Sequence, residues 1–413
     1  MDHKRIVFTG MGIVSPYGFG KKVFWDNLTE GRSGISTIEL FSTTKYDSYL
    51  GGVYSTFDPR ELLDKKGLRL LDRTTTLTLC AAKLALEDAN INQTKNSEQK
   101  RMGFVLSSTC GSPKSRSDFY YTAISKGFTS INPALFPNTV VNSPASQVSI
   151  RFGINGLNST ISTGFNGTLQ AIKYAVQLIR SNKVEMVMVG GTEEMCEMLF
   201  SCFSQTGFLS QSNNDNCEIS SPFDKNRNGA VLGEGSTIFI LESLEHAKKR
   251  KTHVYGEYIG GITTFDPVAF RKYNPKGTGA KKAVKSIMKI YDTQPGEINL
   301  IVSGANSSFI GDLAESKAIK FLTKNNNAPI ITAPKSMLGE SFSAGGGFQI
   351  ATALLSMESG LVPPIINSID PDPNCINNFP ISCLKNKQIS LALITSFSPI
   401  CQQSVCFIQK LKN

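Results

Sequence analysis

The sequence predicts an α/β fold with at least partly parallel sheets, built from two similar halves. Three observations carry this. Apolar runs with strand character alternate with stretches whose apolar residues recur every three or four positions, the spacing of an amphipathic helix. The alternation occurs twice along the chain. The helix start Gly164-Phe165-Asn166-Gly167-Thr168-Leu169-Gln170-Ala171 is echoed by Ala344-Gly345-Gly346-Gly347-Phe348-Gln349-Ile350-Ala351, each opening a long apolar helix.

In order, residues 5–14 read as a strand. A helix over 74–90 follows, with Leu77, Ala81, Leu84, Ala85 and Ala89 on one face, and then a strand at 102–107. A short strand at 159–163 ends in Gly164 and leads into a helix over 166–182 with Leu169, Ile172, Ala175, Val176 and Ile179 inward. Residues 184–189 form a buried strand closed by Gly190-Gly191. The second half repeats the theme, with strands at 254–264, 298–302, 389–397 and 405–409 and helices at 278–291, 312–322 and 345–360. No low-complexity linker separates the halves, so they should share a core, with the boundary giving units 1–251 and 252–413.

The chain is 413 residues long, with 40% hydrophobic and 18% charged residues, enough for a sizeable core and too apolar for disorder. No signal-peptide core precedes a cleavage site and no run of about 20 apolar residues occurs, so a cytoplasmic protein without a membrane span is expected. The nine cysteines have no paired or CxxC spacing and read as reduced thiols, against a disulfide framework or zinc site. Only three histidines exist, His3, His246 and His253, which excludes a His-rich metal site. The net charge of +10 includes a modest cluster at Lys248, Lys249, Arg250 and Lys251. It reads as a solvated helix end or as attraction to an acidic partner. With no basic–aromatic interleaving, nucleic acid is not expected.

The turn Thr163-Gly164-Phe165-Asn166-Gly167 is where a nucleophile would sit. A side chain there is presented on a tight strand-to-helix turn, at a helix N-terminus that lowers a thiol's pKa and stabilises an anion. The occupant, Phe165, has no lone pair to attack with.

Several segments carry a specific resemblance. Residues 7–16 (VFTGMGIVSP), 187–193 (VMVGGTE), 221–229 (SPFDKNRNG) with 231–235 (VLGEG), and 333–339 (APKSMLG) resemble the β-ketoacyl synthase family, in order and across nearly the whole chain. The resemblance implies the thiolase-like fold: two duplicated βαβαβ-type halves in a five-layered αβαβα arrangement, assembled as an obligate dimer. It implies acyl-chain condensation by a cysteine loaded from acyl carrier protein, two histidines and backbone oxyanion amides, with no cofactor and no metal. This chain departs from that pattern at each point. Phe165 stands at the nucleophile position, Gly304 at the first histidine and Glu340 at the second. Residues 398–403 (SPICQQ) replace the glycine-rich C-terminal loop. Lys335 stands at the family's active-site lysine and Glu315 at its usual carboxylate partner, a pair that would now be structural, with Glu340 a second candidate partner for Lys335.

Within the family, the chain length factors (β subunits of type II polyketide ketosynthases) keep the fold and lose the nucleophile. Stretches here resemble them: Asp72-Arg73-Thr74, Tyr255-Gly256-Glu257, 264–267, 351–356 and Val362-Pro363-Pro364. They commonly carry glutamine where this chain has Phe165. The resemblance implies a heterodimer with a catalytic ketosynthase α subunit, formed through the strand at 159–163, and interaction with acyl carrier protein and the growing polyketide or acyl chain at an interface tunnel. By position, Pro113, Arg116, Phe119, Tyr120, Leu135 and Phe136 are the tunnel and chain-length candidates; ordinary helix packing is the plainer reading of Phe119 and Tyr120. Two rivals stand beside this: a self-sufficient acyltransferase or condensing enzyme with Cys110 or Cys401 as a rebuilt nucleophile, and a structural homodimer that binds acyl chains.

Overall fold

The computed structural model describes residues 4–91, 102–212, 217–270, 272–324 and 327–411. Its long sheet runs, edge to edge, through Ile330–Thr332, Leu300–Val302, Leu391–Phe397, Ile400–Gln409, Gly256–Phe270, Ile6–Ser15, Gly235–Ser243, Met186–Glu193, Met102–Ser107 and Asn158–Ile161, with the short strand Gly18–Phe19 folded back on Ile6–Ser15. Counting the strands of this path within each half, both halves have the order 3-2-4-5-1. The pairing senses also match: strand 2 is parallel to 3 and 4, and strand 5 is antiparallel to 4 and 1. The two halves join where their first strands pair antiparallel, Ile6 opposite Tyr258 and Phe8 opposite Gly256. The duplication hinted at by two echoing helix starts is thus a duplication of topology.

The helices occupy equivalent places. Gly167–Arg180 and Phe342–Ser359 pack together between the two half-sheets, and the main core, with Leu169, Ile172, Val189, Phe348, Ile350 and Ile394, gathers around them. This explains why Phe342–Ser359 is buried from Phe342 through Met357. It has sheet or helix on every side, so its sequence is apolar or small throughout. Arg73–Asp88 covers the outer face of the first half, and Thr278–Ile290 with Phe309–Ile319 the outer face of the second, each with its own core. Outer helices, half-sheet, central helices, half-sheet and outer helices make five layers. No helix among the described residues is long and apolar enough to cross a membrane.

Close approach explains the glycines of the first strand. A Cβ on Gly12 would lie 1.9 Å from the Ala81 carbonyl oxygen, so Arg73–Asp88 can sit directly on the strand only because residue 12 has no side chain.

Candidate functional site

The edge strand Asn158–Ile161 leads to Gly164, whose φ of +71° turns the chain into Gly164–Asn166 and then the helix Gly167–Arg180. Phe165 is 5% exposed at this turn. Its ring meets Phe342 edge-on at 5.1 Å between centroids and Phe208 at 5.7 Å. Phe203 stacks on Phe342 at 4.8 Å and leans on Phe208 at 5.4 Å. Four aromatic rings therefore fill the space over the helix N-terminus, where a thiol would need room for its acyl group. The Phe165 carbonyl is itself occupied, accepting from Ser396 Oγ at 3.1 Å. Phe342 adopts φ +44°, a costly conformation for an aromatic residue. Its N–H donates to Glu340 Oε1 at 2.9 Å, which fixes the ring against Phe165. Phe203, Phe208 and Phe342 were not legible as site residues. Only Phe342, two positions after Glu340 in the Lys335–Gly339 motif context, carried any sequence signal.

Gly304, Glu340, Lys335 and Glu315 do come together, with a different pairing from the one expected. The buried Lys335 ammonium forms its ion pair with Glu340, Nζ to Oε2 2.7 Å, and donates to the Gly304 carbonyl at 3.1 Å. Glu340 also accepts from Asn306 Nδ2 at 2.8 Å. Glu315 is held instead by the Ser303 hydroxyl at 2.6 Å, by Thr395 and by the Gly304 N–H at 3.2 Å. The physical reason is reach. Glu340 opens the turn into Phe342–Ser359 five residues after Lys335, whereas Glu315 is already satisfied by hydroxyl and amide donors. Burial raises the pKa of Glu315, with the two hydroxyls and the Lys335 charge opposing it. Burial likewise pushes Asp312 up to about 7, against hydrogen bonds from the Phe223 and Asn306 amides and the charge of Arg227. A Cβ on Gly304 would meet the Thr395 carbonyl oxygen at 2.7 Å. Position 304 is thus shaped for glycine, and an imidazole could not be added without moving the neighbouring strand.

Residues 398–403 form the tip and first pairs of a hairpin between Leu391–Phe397 and Ile400–Gln409, so the last strand starts five residues earlier than its apolar pattern indicated. Ser398 N–H donates to the Gln402 carbonyl at 3.0 Å, and the Ser398 carbonyl accepts from Gln403 Nε2 at 3.2 Å. The Ile400 side chain lies over Gly164. The segment caps the turn rather than presenting free amides to it. Cys401 is buried with φ +74°. Burial pushes the Cys110 thiol up to about 12, the Glu193 charge adding to the effect and Arg116 opposing it. The two histidines among the described residues are engaged elsewhere: His246 bonds Glu242 and His253 bonds Glu358 at 3.0 Å.

The six tunnel candidates lie on two segments in contact, the helix Pro113–Lys126 and the short turn Pro133–Thr139. Pro113 is buried at the start of the helix Pro113–Lys126, and Arg116 donates to the Cys110 carbonyl. Phe119 lies 6.0 Å from both Tyr120 and Phe136. Tyr120 is 57% exposed, Phe136 58% and Leu135 39%, so ordinary core packing does not account for them. Tyr121, Ile124, Phe128, Val140 and Ile150 are exposed apolar side chains as well. A cleft of about 760 Å³ runs between this helix and Glu197–Gln205, with Phe41, Tyr46, Arg73, Ser117, Glu194 and Met198 among its walls. The strand Asn158–Ile161 is the last in the sheet on this side, its outer edge unpaired among the described residues.

Residues 3–247 match the family described as Beta-ketoacyl synthase, N-terminal domain, and residues 255–368 match Beta-ketoacyl synthase, C-terminal domain. The chain is 32% identical over 95% of its length, and 84% of the relative's, to 3-oxoacyl-(acyl-carrier-protein) synthase I, chloroplastic, of Arabidopsis thaliana. It is 31% identical to 3-oxoacyl-(acyl-carrier-protein) synthase 2 of Synechocystis sp. over 96% of both chains. Among solved structures, the ishigamide ketosynthase/chain length factor shares the fold with a TM-score of 0.91 at 24% identity, covering 99% of this chain and 100% of that one. A chain of AntDE:AntF, a type II PKS acyl-carrier protein in complex with its ketosynthase bound to the hexaketide, superposes with a TM-score of 0.89 at 27% identity over 100% of both chains. A thiolase-like fold duplicated strand for strand, matched in both halves and along nearly the full length of named synthases, places this chain in the β-ketoacyl synthase family.

Proposed function

We propose that this chain is the non-catalytic, chain-length-setting subunit of a heterodimeric β-ketoacyl synthase, working beside a subunit that supplies the cysteine and both histidines. The observation that carries the reading is the Phe165 turn. Condensation needs a thiolate to take the acyl group and imidazoles to handle the extender carboxylate and enolate. Here an aromatic ring sits at the nucleophile position under three others, Gly304 has no room for a side chain, and Glu340 is committed to Lys335. Losing three reacting groups together while keeping the complete fold fits a partner role.

The open edge at Asn158–Ile161 and the apolar face around Tyr120, Ile124, Phe128 and Phe136 support assembly. An exposed apolar surface of this kind on a folded chain marks an interaction site. In the assembly, Phe119, Tyr120, Leu135 and Phe136 would wall the cavity into which the partner's acyl chain grows, and their bulk would limit its length. The test is co-expression with a cysteine-bearing synthase subunit. A 1:1 complex that condenses acyl-carrier-protein substrates, beside an inactive single chain, is expected. A stable micromolar monomer that ignores every such partner would overturn the reading.

The relatives named as synthases favour a second reading, a self-sufficient condensing enzyme with a rebuilt site. Its nucleophile would be Cys110 or Cys401. The raised Cys110 pKa, the burial of Cys401 and the distant pairing of His246 and His253 count against it. Acyl transfer to the single chain, seen as a mass increment on the intact protein, would decide for it.

A further inference from the structure

The strand Met186–Glu193 is paired on both sides, with Met102–Ser107 and with Gly235–Ser243, so the residue after it starts from a fixed point. That residue is Glu194, 1% exposed. Its carboxylate holds two helix starts at once. Oε1 accepts from the Lys114 N–H at 2.9 Å, in the first turn of Pro113–Lys126. Oε2 accepts from the Thr74 N–H at 3.2 Å, in the first turn of Arg73–Asp88. An anion suits this place, because both helices turn unbonded N–H groups and the positive ends of their dipoles toward it.

The two helices depend on this carboxylate unequally. Arg73–Asp88 buries eleven of its 16 residues and has a cap of its own, the Asp72 side chain accepting from the Thr75 N–H at 2.8 Å. Pro113–Lys126 buries only Pro113 and Ala123, and Ser112 ahead of it makes no side-chain cap bond. It packs on Phe128–Ser130 and Pro133–Thr139, which belong to the same excursion of the chain, and on Glu197–Gln205. Its own side chains bond within it or to the loop before it, as Lys114 does to Asp118 and Arg116 to the Cys110 carbonyl. The Thr74 hydroxyl donates to the Gly111 carbonyl at 3.0 Å, which ties that loop, and not the helix, to the first half. The cleft of about 760 Å³ toward Glu197–Gln205 leaves the helix room to move. Tyr120 stands six residues beyond Lys114, about 9 Å along the axis, so a change of angle at Lys114 is carried to its ring.

We propose that Glu194 is a positioning residue: it pins the first turn of Pro113–Lys126 to the end of Met186–Glu193 and thereby fixes where Phe119 and Tyr120 stand. The pinning is independent of the subunit role. Its consequence for product length rests on the reading of that helix as tunnel wall.

The test is hydrogen–deuterium exchange of the full chain at pH 8, above the value of about 7 to which burial raises Glu194. Glu194→Gln keeps the shape, but its amide accepts only one N–H and turns a donor toward the other. Peptides covering 113–126 should exchange about tenfold or more faster, the scale of losing one bond to a charged acceptor, and those covering 73–88 should not change. Glu194→Asp, a methylene too short to reach both amides, should do the same, and serves if the Gln variant melts early. The control is Glu218→Gln, another buried carboxylate that accepts from two amides, those of Tyr49 and Leu50, and it should leave 113–126 unchanged. Unchanged exchange at 113–126 in both Glu194 variants would overturn the proposal. So would equal acceleration at 73–88 or in the control, because Glu194 would then only support the fold. In the reconstituted complex, Glu194→Gln should broaden the product distribution at similar turnover. Faster exchange at 113–126, with products unchanged there and in Tyr120→Ala, would keep the pinning and sink the tunnel reading. A product shift in Tyr120→Ala with neither effect in Glu194→Gln would sink the pinning alone.

Discussion

Phe165→Cys puts a thiol at the family's nucleophile turn without supplying anything else. The ring it removes is almost fully buried and touches Phe342 at 5.1 Å and Phe208 at 5.7 Å. Deleting a buried Phe side chain costs about 3–5 kcal/mol, and a retained sulfur recovers a little, so about 2–4 kcal/mol is expected. For 413 residues at roughly 2.1 cal/mol/K each, that lowers the melting temperature by about 2–5 °C. The helix N-terminus favours the new thiolate, so slow acylation by an acyl thioester is expected. Condensation is not. Each missing general acid or base is worth about 10²–10⁴ in rate, and position 304 cannot be filled while the Thr395 carbonyl stays in place. Intact-protein mass spectrometry should find a trace acyl adduct, and a malonyl-dependent assay should find no product. Sustained condensation by the purified single variant would refute the reasoning, because the site would then lie elsewhere or need fewer groups.

Lys335→Met should destabilise the chain by about 3–5 kcal/mol by leaving the buried Glu340 carboxylate uncompensated, and Lys335→Met/Glu340→Gln should recover much of that loss in chemical denaturation. Burial raises Glu193, Glu194 and Asp312 to about 7. The folded state therefore holds more protons than the unfolded one between about pH 4 and 7, so stability should fall as pH rises through that window and level off above it. Denaturation at pH 6 and pH 8 checks the sign. Ile124→Lys/Phe128→Lys, at side chains 86% and 83% exposed, should leave the free chain's melting unchanged and block complex formation in size-exclusion chromatography.

The α/β class and its duplication were legible because periodicity records burial. The strand at 102–107 was placed to the residue, and the helices at 278–291 and 345–360 to within three. Gly235–Ser243 was missed although its apolar run is continuous, and Ile330–Thr332 is too short to carry a pattern. The site was legible where family motifs fix single positions, at Phe165, Gly304, Glu340 and Lys335. It was not legible where contacts join distant segments. Nothing local says that Phe203 and Phe208 close over Phe165, or that Ser303 and Thr395 satisfy Glu315 and leave Lys335 to Glu340. The exposure of Tyr120, in Pro113–Lys126, and of Phe136, in the separate short turn Pro133–Thr139, was equally hidden, because an aromatic residue reads the same in a core or at an interface.

Product length in a reconstituted complex tests the central claim most directly. Tyr120→Ala and Phe136→Ala remove rings that are largely exposed in the free chain, so folding should survive and the partner's chemistry should be untouched. A ring occupies about the space of several methylenes, so each variant should shift the product, read by mass spectrometry, upward by about one or two extender units at similar turnover. An unchanged product distribution from folded, active complexes carrying Tyr120→Ala, Phe136→Ala and the matching changes at Phe119 and Leu135 would contradict the length-setting role.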